Sequence, residues 1–233
     1  MRSIQRLLGE AKGKMNGYVA LLSFRYMNLC VKAEPASLLP VTVSINGQDQ
    51  NIENLADVGI LQEDVLGVVP QEPAYLLQIG KGVMLAHPEF KMDIVQPENS
   101  QSDEDKYLTF TMPEVDEARH DLLMDGVDTL KTQCTAKIDL VFGLYSAKIV
   151  EQLVGADLKT IDSVKDMLQE VYDFYTDLCE KQTDVKKKEI EDAYQKYLAE
   201  QEAKLQEKQE EAAAHSDEVA QRMKMDNLGE DEY

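Results

Sequence analysis

The chain has 233 residues, 43% of them apolar, enough to bury a core in one large or two small domains. Its 44 acidic and 24 basic side chains leave a formal charge of −20, which repels phosphate backbones, nucleotides and anionic lipid except where basic residues cluster locally. Cys30, Cys134 and Cys179 lie far apart without a CxxC pair, which argues against a disulfide scaffold or thiolate zinc site and for three small buried hydrophobes. The opening MRSIQRLLGEAKGKMNGY has no continuous apolar stretch, and no apolar run approaches the ~20 residues that span a bilayer. A soluble, cytoplasmic protein without membrane contact is expected.

All seven prolines fall between Pro35 and Pro113, so the flanking stretches are free to form long helices. In the first, Ile4, Leu7, Leu8, Ala11, Met15, Val19, Leu22, Tyr26 and Leu29 recur at three and four residues and share a helix face. Gly9, Gly13 and Gly17 share another, which implies either close approach of a second helix or fraying of the first turns. Within the proline-rich middle, 41–45 reads as a strand turning at Asn46-Gly47 into a short partner. Residues 64–69 read as a strand, 73–85 as a short helix with a flexible spot at Gly80-Lys81-Gly82, and 91–95 and 107–112 as strands flanking a polar loop. A second long helix is predicted from about Val115 to Leu153, with Leu122, Val127, Leu130, Cys134, Ile138, Val141, Tyr145 and Ile149 along it. A break at Gly155-Ala156-Asp157 precedes the third. There Ile161, Val164, Leu168, Val171, Tyr175 and Leu178 form a bundle or coiled-coil seam that slips phase after Asp184 to Ile190, Tyr194, Tyr197 and Leu205. The fold class is therefore α+β: a three-helix bundle (1–33 and 114–205) interrupted by a small β/α/β domain (34–113) and followed by an acidic, partly helical tail (206–233). Three helices close a bundle within one chain, so a monomer is expected.

Chemistry-bearing patterns are scarce. His87, His120 and His215 are scattered without metal-ligand spacing and read as surface residues or local hydrogen-bonders. No phosphate-binding loop or nucleophile motif occurs, and pairs such as Glu63-Asp64 carry no information in so acidic a chain. No enzymatic activity, cofactor or metal is expected. The first helix is the one positive element: residues 1–33 hold Arg2, Arg6, Lys12, Lys14, Arg25 and Lys32 against the single acid Glu10. Such a face either contacts RNA or pairs internally with acidic neighbours.

Two junction motifs carry a resemblance. Lys32-Ala33-Glu34-Pro35-Ala36-Ser37-Leu38-Leu39 is similar to the Arg-Ala-x-Pro-x-Leu-Leu pattern where the ribosome recycling factor family leaves its first helix. Pro113 to Leu122, with Asp116 as helix N-cap, resembles that family's re-entry pattern Pro-x-Leu-Thr-Glu-Glu-Arg-Arg-x-x-Leu. The resemblance covers roughly residues 1–200. It implies an L-shaped molecule hinged at the crossings near Pro35 and Pro113, whose bundle binds large-subunit ribosomal RNA and works with a translocase GTPase to split post-termination ribosomes. The resemblance carries over Lys32 and Arg119 as rRNA-binding residues, and the basic face of the first helix adds Lys12, Lys14 and Arg25 as candidates. The family's cluster Val-Arg-Asn-x-Arg-Arg-Asp, counted without a gap from Leu122, sets its arginines on Ile138, Val141 and Phe142. That departure leaves open a paralogue that keeps the scaffold and binds protein partners through its long third helix and tail.

Overall fold

The computed structural model describes residues 2–98, 102 and 105–227, with Arg2 and residues 214–227 described as backbone alone. Most of the polar loop before residue 105, the His215 side chain and the end of the acidic tail lie outside the described residues. Three helices form the bundle: α1 (Arg2–Met27), α3 (Glu117–Gln152) and α4 (Leu158–Asn227). Between α1 and α3 lie β1 (Thr42–Ile45), β2 (Gln48–Asn51), β3 (Ala56–Gln62), β4 (Val65–Pro70), α2 (Leu76–Ala86), β5 (Lys91–Val95) and β6 (Tyr107–Thr111). The fold is helix-rich, with a small antiparallel sheet domain between the first and second bundle helices.

The three-four spacing of the sequence becomes the bundle core. Ile4, Ala11, Met15, Val19, Leu22 and Tyr26 from α1 meet Val127, Ile138, Val141, Tyr145 and Ile149 from α3 and Val164, Leu168, Tyr175 and Ile190 from α4. The Tyr26 hydroxyl ties all three helices together, lying 2.9 Å from Thr183 Oγ1 and 3.3 Å from the Val127 carbonyl oxygen. Asp116 caps α3 by accepting the Arg119 amide at 2.8 Å. Asp157 does the same for Thr160 at the start of α4, after Gly155 takes φ +85 to end the preceding turn.

Four expectations need correction. Leu122 is 72% exposed and Leu123 is the core residue, at 7%. The apolar stripe of α3 thus starts one residue later, and 123 rather than 122 keeps the four-residue step to Val127. Leu205 is exposed rather than part of the seam. The Gly9, Gly13 and Gly17 ladder faces outward, with nothing within 4 Å of a Cβ placed on any of the three. Gly80 and Gly82 mark no flexible spot: both are buried, and a Cβ on Gly82 would lie 2.9 Å from Val43 Cγ2 and 3.2 Å from the Thr42 carbonyl oxygen. The missing side chain of Gly82 lets α2 settle directly on β1, and that of Gly80 makes room for Met92 of β5 and Leu108 of β6.

The insert has its own core, built from Leu38, Val41, Val43, Leu66, Val68, Ile79, Val83, Leu108 and Phe110. Cys30 and Ala33 pack into it too. β1 and β2 form a hairpin across Asn46 (φ 52) and Gly47 (φ 79), the positive angles that a twisted two-residue turn requires. The other four strands form an antiparallel sheet in the order β3-β4-β6-β5. The edge strand β3 was not expected from the sequence.

Candidate nucleic-acid interface

The cations of the bundle fall into two sets. On the side where α3 meets α4, Lys131 pairs with Glu180 and Lys187 with Asp128, each at 2.6 Å. Those charges are neutralised. On the side where α3 meets α1 they are not. Lys14 on α1 and Lys148 on α3 both approach the Tyr145 ring, with Nζ 5.9 and 4.8 Å from its centroid. Farther along, Arg25 of α1 donates to the neutral Gln133 Oε1 at 2.9 Å. Lys137 is exposed one turn beyond Gln133, eleven residues before Lys148 and so on the same stripe. Glu10, half of an exposed pair with Arg6, accepts the Tyr145 hydroxyl at 3.3 Å and is an acid of this face. Lys14, Arg25, Lys137 and Lys148 thus line one groove, and none has a carboxylate partner among the described residues. Lys12 is exposed on another face of α1. The spacing of 137 and 148 was the sequence signal for this stripe, but only packing identifies which stripe borders α1.

The remaining site residues lie at the junction of bundle and insert. Lys32 is exposed and pairs with Glu34 at 3.0 Å, which holds its pKa up. Arg119 is turned inward: its guanidinium donates to the Cys30 carbonyl at 2.8 Å, Nε is buried without a partner, and burial pulls its pKa down. It is a tie between α3 and the chain leaving α1, set apart from the groove. Pro35 opens a single 3-10 turn after the extended Glu34, and Pro113 lines a cavity of about 540 Å³ together with Lys32, Glu63, Asp64, Glu189 and Lys196. Both crossings are held by the same turn between β3 and β4. The Ala33 amide donates to the Glu63 carbonyl at 2.9 Å and the Met112 amide to the Asp64 carbonyl at 2.8 Å, while the Glu63 side chain pairs with Lys196 of α4. Where the chain leaves α1, the buried Cys30 Sγ lies 3.9 Å from His87 Nδ1.

No protein-family model matches this sequence, and no curated protein matches it either. Solved structures do. The solution structure of a ribosome recycling factor superposes with a TM-score of 0.66 at 18% identity, covering 82% of this chain and 99% of that one. The chain has the ribosome recycling factor fold. A set of models of the T. thermophilus ribosome recycling factor and the E. coli elongation factor G bound to the E. coli post-termination complex also matches, with a TM-score of 0.56 at 17% identity, covering 80% of this chain and 98% of that one.

Burial rules out the ungapped register of the family's arginines. Ile138 and Val141 are core residues and Phe142 packs against the core, so arginines at the first two would have no access to RNA. Because Leu123 takes the core position, the count moves on by one. The pattern's valine then falls on Ile138 and its arginines on Asp139, Phe142 and Gly143. Asp139 accepts the Tyr172 hydroxyl at 2.8 Å, Phe142 lies 4.7 Å from the Tyr172 ring, and Gly143 is exposed. The surface where that pattern would be basic is acidic and aromatic here.

Proposed function

We propose that this chain is a ribosome-recycling-factor-like protein: a non-enzymatic, monomeric, cytoplasmic binder of large-subunit rRNA that aids post-termination ribosome disassembly alongside a translocase GTPase. The observation that carries this reading is the groove of Lys14, Arg25, Lys137 and Lys148, cations without carboxylate partners among the described residues, on a fold that spans 99% of a recycling factor's length. Uncompensated lysine and arginine in one groove are what a phosphate backbone selects. Among the described residues no helix is long and apolar enough to cross a membrane, which is compatible with this role. The test is sedimentation with purified large subunits at low and physiological salt. Binding is expected to be salt-sensitive and lost when Lys14, Arg25, Lys137 and Lys148 are changed to Glu; no binding at either salt refutes the reading.

A second reading rests on the acidic and aromatic surface at Asp139, Phe142 and Gly143. It makes the chain a divergent paralogue that has left rRNA and binds protein partners through α4, which is exposed from 199 to 213. Removing residues 199–233 then changes the partners recovered with the chain, and an unchanged set counts against it.

A further inference from the structure

Cys30, His87 and Glu89 are separated in sequence and lie outside the cationic groove. Cys30 sits in the turn leaving α1, His87 terminates α2, and Glu89 follows after Pro88. Folding brings Cys30 Sγ to 3.9 Å and Glu89 Oε1 to 3.3 Å from the same atom, His87 Nδ1, and all three donor atoms lie within 4.8 Å of one another. We propose that this cluster binds a zinc-class divalent cation, with Cys30 Sγ, His87 Nδ1 and a Glu89 carboxylate oxygen as ligands and water as the fourth.

A tetrahedral zinc with bonds of about 2.3 Å to sulfur and about 2.0 Å to nitrogen and oxygen holds its S···N ligand edge at about 3.6 Å and its N···O edge at about 3.3 Å. The observed N···O separation meets this value, and rotation of the Cys30 and Glu89 side chains shortens the two edges to sulfur, 3.9 Å to His87 Nδ1 and within 4.8 Å to the Glu89 carboxylate, to ligand length. His87 is already oriented as a ligand. Its Nε2 lies 3.3 Å from the Ser37 carbonyl oxygen, the outer partner that fixes the tautomer of a metal-bound imidazole, and the Phe90 ring stacks on it at 4.6 Å and 5°. Cys30 (4% exposed) and His87 (3%) are dry, whereas the Glu89 side chain is 32% exposed and opens a path for the cation and its water. A thiolate with an imidazole selects zinc over magnesium or calcium. The site joins the exit from α1 to the end of α2 and, through Arg119 on the Cys30 carbonyl, to the start of α3. Bound metal therefore clamps the crossing between bundle and insert.

The untagged full-length chain is titrated with Co²⁺, then with Zn²⁺. The expected result is a thiolate-to-cobalt charge-transfer band at one cation per chain, displaced by zinc, absent in Cys30→Ser and retained when Cys134 and Cys179 are changed to Ser. His87→Gln and Glu89→Gln each weaken zinc binding by more than the roughly 10–100-fold that outer partners cost. Glu89→Gln alters a partly exposed side chain and preserves folding, so it decides the matter if the buried variants unfold. No band, a band that survives Cys30→Ser, or unchanged zinc affinity in Glu89→Gln overturns the proposal.

Discussion

Replacing Lys137 and Lys148 together by Gln removes two positive charges from the α1–α3 groove. Replacing Lys131 and Lys187 by Gln removes two from the α3–α4 side, where Glu180 and Asp128 already neutralise them. Both double variants change the net charge equally, so a bulk-charge effect predicts equal losses and a local interface predicts unequal ones. If Lys14, Arg25, Lys137 and Lys148 each displace a counterion from rRNA, the log–log salt slope of large-subunit affinity is about −3 to −3.5. A fourfold rise in salt then weakens binding roughly 50–150-fold. In K137Q/K148Q the slope halves and the same step costs only about 10-fold, from an already weaker start; K131Q/K187Q keeps the parental slope. The assay is sedimentation or filter binding with large subunits at four or more salt concentrations. Equal slopes in the two variants would refute the assignment of the groove, because charge position would then be irrelevant.

Leu123→Ala is expected to destabilise the chain by about 2–4 kcal/mol through loss of core packing, whereas Leu122→Ala, at an exposed site, changes stability by less than about 0.5 kcal/mol; urea denaturation of both variants checks the helix register. Although burial pulls His87 down, its hydrogen bonds with Cys30 and Glu89 outweigh that and raise it to about 9 from its ordinary 6.5. The folded state thus holds the proton more tightly than the unfolded chain, so this stabilisation is complete below pH 6.5 and is lost as pH rises through about 9. The full shift corresponds to about 3 kcal/mol, and solvent screening at the partly exposed Glu89 reduces the expected effect to about 1–2 kcal/mol. In chelator-treated buffer the stability gap between the parent and His87→Gln should therefore shrink from pH 6 to pH 9.5, and a constant gap contradicts the assignment. Ending the chain after Lys204 leaves the melting temperature within about 2 °C, since residues 199–213 are exposed throughout; a larger drop shows that the extension packs on the bundle.

The bundle was legible because proline exclusion and a three-four apolar rhythm act over long stretches, where one misplaced residue such as Leu122 does not erase the pattern. Local chemistry read equally well at Asn46-Gly47 and at the Asp116 cap, where the residue type itself dictates the backbone. β3 escaped for the opposite reason. Its burial falls on Ala56 while Ile60, Leu61 and Gln62 are exposed, so it shows no alternation, and it turns through Glu63-Asp64 without a glycine or asparagine. The Gly80 and Gly82 pair looked like looseness because a sequence shows the absence of a side chain but not the strand that fills its place. Cys30 and His87 were invisible as a pair because 57 residues separate them, and Arg119 gave no sign that it would turn inward to a carbonyl.

The formal charge of −20, the first argument against an RNA partner, is a poor guide to the groove. α3 starts at the junction, and at about 1.5 Å per residue Lys137 lies roughly 30 Å and Lys148 roughly 45 Å along it. The exposed part of α4 continues beyond Lys196, which pairs with Glu63 at that same junction. Its acids therefore begin at the opposite end of the bundle from Lys148, several Debye lengths of about 8 Å away at physiological salt. What governs phosphate contact is the immediate pairing of each cation: among the described residues Lys131 and Lys187 have carboxylates and Lys14, Lys137 and Lys148 do not. Under the proposed reading, the contact face is thus displaced around the bundle, from the α3 surface now occupied by Asp139 and Phe142 to the groove beside α1. A chain bound through that groove holds its Phe142–Tyr172 surface, on another face of α3, away from the RNA.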